Sequence, residues 1–277
     1  MAKKPILCPR CRRLIGSNET ICSWCGASRA NPLWKAITWM RRSVGDDWLV
    51  QSIIIVNIVF YIFSLVLTEH HSLKFNAFSF LAPGQASLFL LGATGTVPID
   101  EYGRFWSLLN ANYLHGGLLH LIFNLIALRR VAPLVSQEYG SSRMFIIYTI
   151  GGIGGFALSY LVGIPLTIGA SAAICALIGA LLYYGKSRGG TYGNIVFREV
   201  GGWVISLFLF GLIVPGINNW GHGGGIISGI LLGILMGYSE MKQEKTFHRI
   251  LAMACGLATI GCLAWAGVGA AMFRLLQ

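Results

Sequence analysis

Acidic side chains are scarce. Ten Asp and Glu among 277 residues, with 11% charged and 55% hydrophobic residues overall, leave too much apolar surface for a soluble core of this size. A soluble globular enzyme is therefore excluded, and an all-α polytopic membrane protein is expected. The first 47 residues hold four cysteines and many charges but lack an apolar stretch of useful length, which excludes a secretory signal peptide. Cysteine is sparse beyond residue 25: only Cys175, Cys255 and Cys262 remain, and each reads as a small packing residue.

What is there in quantity is apolar runs of membrane-crossing length. Seven candidate spans lie near residues 48–67, 113–130, 144–162, 169–185, 201–217, 221–238 and 251–272. Of the 21 Lys and Arg, nine precede the first span and three each follow spans two, four and six. Only Lys74, Arg104 and Arg274 fall on the other side. That asymmetry predicts a cytoplasmic N-terminus and an external C-terminus. The net charge of +11 follows from it and calls for no nucleic acid, although such segments also suit anionic lipid.

Ahead of the spans, Cys8-Pro-Arg-Cys11 and Cys22-Ser-Trp-Cys25 are two Cys-x-x-Cys knuckles ten residues apart. In a reducing compartment, four thiolates at this spacing hold one tetrahedral Zn²⁺, with rubredoxin-like iron the minor alternative. Residues 1–30 are thus expected to form a small cytoplasmic zinc ribbon. Arg10, Arg12, Arg13 and Arg29 could contact nucleic acid, but a structural knob that recruits a cytoplasmic partner is the preferred reading. Residues 31–47, with Trp34, Trp39 and the Arg41-Arg42 pair, read as an interfacial helix and linker.

The external connection, residues 68–112, is unusually long. Its apolar run from Phe75 to Leu91 is broken by Pro83 and Gly84, so it is expected to be re-entrant or to lie at the interface against protein. His70 and His71 read as solvated loop residues.

Three later stretches carry polar groups that a bilayer tolerates only with a purpose. Span two opens with His115, His120 and Asn124, the last two sharing a helix face. Span four opens with Ser171. Span six opens with His222 and repeats glycine every fourth residue from Gly221 to Gly237, a smooth face for close helix approach. All three spans run outside to inside, so these groups meet at one depth. Ser171 and His222 are then expected within hydrogen-bonding reach, the arrangement of a base-activated serine nucleophile. None of the ten acids lies within a span at the depth of His222, so a dyad is expected rather than a triad. His120, Asn124 and the Ser171 backbone N–H could stabilise a tetrahedral oxyanion.

His-x4-His-x3-Asn on span two, Gly-x-Ser on span four and Gly-His-x2-Gly-x3-Gly on span six together resemble the rhomboid family of intramembrane serine proteases, over roughly residues 48–240. The resemblance implies a six-helix bundle plus one C-terminal helix (6+1), with residues 48–240 as the protease core and 241–277 as the added helix. It implies Ser171 as nucleophile, His222 as general base, and His120 with Asn124 in the oxyanion hole. His115 would support that hole or order water, and Gly169 would match the glycine two before the nucleophile. Span five and the loop from Pro215 to Trp220 would gate substrate. Two departures from the family pattern are Ala172, where glycine often follows the nucleophile, and Trp106-Ser107 in place of Trp-Arg, with Arg104 two residues earlier.

The expected function is hydrolysis of a peptide bond in or near the outer end of a substrate's transmembrane helix, without a cofactor, in what the resemblance suggests is a bacterial cytoplasmic membrane. The substrates would be transmembrane proteins whose helices unwind at Gly, Ser, Ala or Pro. The competing expectations are a catalytically inactive rhomboid-like binder of membrane clients and, behind it, a channel or transporter.

Overall fold

The computed structural model describes residues 6–8, 14–16, 19–23, 26, 28, 48–68, 80–214 and 216–276. Cys11, Cys25, the linker 31–47, His70, His71 and Pro215 lie outside the described residues. The chain divides into two units, Met1–Gln51 and Ser52–Gln277.

In the first unit, β1 (Ile6–Leu7) pairs antiparallel with β2 (Leu14–Ile15), Ile6 opposite Ile15 and Leu7 opposite Leu14. A second bridge joins Ile21 to Ser28. Between those two, Gly26 takes φ +67° and donates its N–H to the Cys22 carbonyl at 2.9 Å. That left-handed turn, which glycine adopts without steric penalty, closes the second knuckle. Cys8 and Cys22 are both buried.

The body is helical because its apolar runs have no other way to satisfy their backbone in lipid. Among the described residues there are seven long helices: α1 (Trp48–Val66), α4 (Leu118–Tyr139), α5 (Ser141–Leu161), α6 (Ser171–Arg188), α7 (Gly190–Ile213), α8 (Asn219–Met236) and α9 (Thr246–Leu275). Two short helices, α2 (Gln85–Leu91) and α3 (Ser107–Asn110), lie in the connection after α1. By length and composition, α1, α4, α5, α7 and α9 qualify as membrane spans among the described residues. The expectation of seven spans thus meets five. The other two, α6 and α8, are 18 residues each and are diluted by Gly, Ala, Ser and polar termini. Of the two, α6 is the central helix, buried along most of its length, whereas α8 buries its glycine face and leaves Ile227, Leu231 and Leu235 exposed.

Glycine sets how closely that centre packs. A Cβ placed on Gly229 or Gly225 of α8 would run into the backbone carbonyls of Ala176 and Ala172 on α6, and one on Gly179 would strike the Ile226 carbonyl. On α5, Gly151, Gly152 and Gly155 are pressed against Ala176, Ala173 and Ala172. Lipid gives helices little hydrophobic reason to associate, so contact of this closeness is what holds them.

At the far end of this seam, the Arg143 side chain is fully buried. Its guanidinium donates to the carbonyls of Gly237, Met236 (3.3 Å) and Lys242 (3.0 Å), so a cation closes the C-terminus of α8, where the helix dipole favours it. Arg143 is one of the three cations that follow span two, and its carbonyl partners hold it inside the protein.

The described part of the long connection, residues 80–112, packs against protein. Thr68 accepts from the Gly84 N–H (2.9 Å) and meets Ser87 (3.0 Å), Tyr61 donates to the Leu81 carbonyl (2.6 Å), and Asn110 donates to carbonyls of Leu91 and Cys262 (3.1 and 3.2 Å). Arg104 donates to the Phe89 carbonyl at 3.0 Å and lies 4.4 Å over the Phe89 ring, within 6 Å of Tyr102 and Trp106. It ties α2 to the turn before α3, in a cation–π setting.

Candidate active site

Ser171 is the first residue of α6, and His222 lies in the first turn of α8. The glycine seam brings those two helix starts together, leaving His222 Nε2 2.9 Å from Ser171 Oγ. His222 is buried, and its Nδ1 has no protein partner among the described residues. If Nε2 accepts the serine hydroxyl, the ring proton sits on Nδ1.

The first rung of α6 runs from the Ile174 N–H to the Ala170 carbonyl, 2.9 Å. The amides of Ser171, Ala172 and Ala173 therefore lie ahead of the helical ladder, where the dipole favours negative charge. Ala172 does not obstruct them. Its methyl group lies against Gly155 of α5, buried with Phe156 and Ala111.

Gly169 shows how His120 enters the site. It has φ +127°, and a Cβ there would lie 2.8 Å from His120 Nε2 and 3.5 Å from Ser171 Oγ. Backbone conformation and space both require glycine. The Gly169 N–H is fixed by the Ala111 carbonyl at 2.8 Å. His120 Nδ1 accepts the Gly116 N–H at 3.2 Å, so in the neutral ring the proton is on Nε2, the edge that faces Gly169 and Ser171. His120 thus turns its N–H toward Gly169, two residues before the serine.

Asn124, one turn along α4, is buried and donates to the His120 carbonyl at 2.8 Å. His115 is fully buried, edge-on to His120 with ring centroids 5.1 Å apart, and neither nitrogen has a protein partner among the described residues. Its ring packs against that of His120.

These groups head a cavity of about 800 Å³. Its polar end holds Ser171, His222, His120 and Asn124, while Trp203, Leu207 and Phe210 of α7 line one apolar wall and Leu119 and Phe123 of α4 the other. Val214, at the end of α7, and Gly216 and Ile217, in the loop expected to act as a gate, also line it.

One participant escaped sequence reasoning. Asn218 caps α8, its Oδ1 accepting the Gly221 N–H at 3.0 Å. The signal was present in principle, since Asn is a preferred N-cap residue.

As for metals, no cluster of three or more His, Cys, Asp or Glu that could hold one occurs among the described residues. Of the four expected zinc ligands only Cys8 and Cys22 are among them.

A helical membrane bundle with a serine–histidine pair at the head of a lateral cavity is a recognisable class, and residues 102–239 match the Rhomboid domain. The chain belongs to the rhomboid family and is an integral membrane protein. It is similar to the Rhomboid protease GluP of Bacillus subtilis (strain 168), 37% identical over 57% of this chain and 32% of that protein. RHOMBOID-like protein 4 of Arabidopsis thaliana is 27% identical over 68% of this chain and 52% of its own length. Inactive RHOMBOID-like protein 8 of the same plant is 29% identical over 78% of this chain and 68% of its own. The chain thus spans about half of the first of these plant relatives and a third of the Bacillus one.

Proposed function

We propose that this protein is an intramembrane serine protease working through a Ser171–His222 dyad. The carrying observation is the 2.9 Å contact between Ser171 Oγ and His222 Nε2 at the polar head of the cavity. A substrate helix enters between α4 and α7 and unwinds near small residues or proline. Ser171 Oγ attacks the scissile carbonyl carbon as His222 Nε2 takes the hydroxyl proton. The oxyanion is received by the Ser171 amide and by the Nε2–H of His120, with Asn124 turning its amide from its own helix toward the charge. The amine leaves with the proton held by His222. Water, deprotonated by the same nitrogen, then hydrolyses the acyl-serine ester and returns Ser171 to its starting state.

In this reading all seven long helices cross the bilayer in the 6+1 arrangement, the N-terminus is cytoplasmic, and the cavity head faces the outer side. His115 acts by holding His120. Catalysis uses no cofactor. Burial of Cys8 and Cys22, with the left-handed Gly26 closing the second knuckle, supports a structural zinc completed by Cys11 and Cys25, in a ribbon that serves a cytoplasmic partner. Elemental analysis of protein purified with and without Cys8→Ser should show zinc lost with the thiol.

The test of the protease reading is covalent labelling by a fluorophosphonate. Labelling that is absent, or that survives Ser171→Ala, rejects it. The similarity to a plant relative named inactive favours, as the second reading, a non-catalytic binder of membrane clients, which would keep full function with Ser171→Ala.

A further inference from the structure

Asn218 makes more bonds than a helix cap needs. Its Oδ1 accepts the Gly221 N–H at 3.0 Å, and its backbone carbonyl accepts the His222 N–H at 3.2 Å. The first turn of α8 is therefore held from one residue at two points, one of them the amide of His222 itself. The same side chain donates from Nδ2 to Ser159 Oγ at 2.8 Å and to Thr167 Oγ1 at 3.0 Å. Both amide protons and the carbonyl oxygen are engaged, which fixes the orientation of the group.

The two acceptors are on different segments. Ser159 belongs to the last turn of α5, where its hydroxyl donates to the Gly155 carbonyl at 3.1 Å. Thr167 lies four residues before Ser171, in the segment joining α5 to α6. That segment is pinned from behind: Thr167 and Thr94 exchange backbone bonds at 2.6 and 3.1 Å, and Ser107 donates to the Thr94 hydroxyl at 2.9 Å. Asn218 thus sits four residues before His222 and is bonded to the residue four before Ser171.

It also sits at a boundary. Residues 214, 216 and 217 on its N-terminal side line the cavity and follow the end of α7, the wall that in the proposed reading moves when a helix is admitted. On its C-terminal side is the general base.

We propose that Asn218 is a positioning residue, a clamp that holds the segments carrying Ser171 and His222 in one register and isolates both from movement of α7. This rests on the reading of Ser171 and His222 as nucleophile and base. Misplacement of a reacting group by about 1 Å can cost on the order of 100-fold in rate, which sets the scale of the expected loss.

The experiment measures fluorophosphonate labelling of Ser171 and cleavage of a transmembrane reporter in liposomes, for the wild-type chain, Asn218→Ala and Asn218→Asp. The wild-type chain must label first; if it does not, the protease reading fails rather than the clamp. Asn218→Ala is expected to slow labelling between about 10- and 100-fold and to lower kcat with KM unchanged. Asn218→Asp should recover part of the loss, because a carboxylate still caps Gly221 and can accept from the Thr167 hydroxyl, while Ser159 must give up its bond to the Gly155 carbonyl before it can donate. Wild-type rates in Asn218→Ala, or a loss confined to KM, overturn the proposal. Should Asn218→Ala not fold, Ser159→Ala combined with Thr167→Ala decides: slower labelling at unchanged KM supports the clamp, and an unchanged rate overturns it.

Discussion

The seam between α6 and α8 and the attachment of α7 are built on opposite principles. Twelve residues of α6 are buried, and backbone meets backbone along its contact with α8. On α7 only Gly193 and Val200 are buried. Its first half is anchored where Gly193 presses against the Gly185 carbonyl and Phe197 covers Gly185. Its second half presents Phe208, Leu212 and Ile213 outward and meets α8 where Gly211 abuts the Asn219 side chain. In the proposed reading the difference separates two duties: the seam fixes Ser171 against His222, and α7 gives the cavity a wall that can yield without disturbing them.

One substitution, glycine to alanine, probes both regions. Gly229→Ala should have the largest effect, because the added methyl meets the Ala176 backbone and no rotamer can relieve it. Overpacking of this kind costs about 1–3 kcal/mol, occasionally more, and the upper end is expected, with fluorophosphonate labelling lost as α6 and α8 part. Thermal unfolding in detergent measures the first effect and labelling the second; an unchanged melting temperature would show that the seam is not the rigid element. Gly169→Ala comes next. The left-handed backbone position costs an alanine roughly 1–2 kcal/mol, and the methyl displaces His120 from the serine. Loss of an oxyanion donor slows the reaction about 100- to 1,000-fold, so cleavage should fall far more than stability does.

Much of this was legible before any coordinates, and the exceptions share a cause. Apolar length marked the strongly hydropathic helices, and the glycine period on α8 foretold the approach of His222 to Ser171, because both signals are local in sequence. The Asn218 bonds to Ser159 and Thr167 cross 59 and 51 residues, and no local pattern shows that an N-cap residue has further partners. The burial of Arg143 escapes a local reading for the same reason, its carbonyl partners standing 93 to 99 residues away. Arg104 stood out only as a departure from a motif, since the rings that receive it are gathered by folding.

The comparison sharpens at α7. Gly211→Ala would place a methyl in the Asn219 amide, where α7 is otherwise loosely held, so stability should fall by no more than about 1 kcal/mol. The end of α7 would be pushed off α8, and cleavage of a helical reporter should rise while labelling by the small fluorophosphonate stays constant. Equal increases in both would mean that the wall does not select for helices. Gly202→Ala is the smallest case and the control. No atom lies within 4 Å of the added methyl, and alanine is favoured over glycine in a helix by roughly 0.8–1.0 kcal/mol. The melting temperature should hold or rise slightly, with cleavage unchanged. A loss of activity there would show that α7 works by bending at this glycine, in place of moving as a rod from its anchor at Gly193.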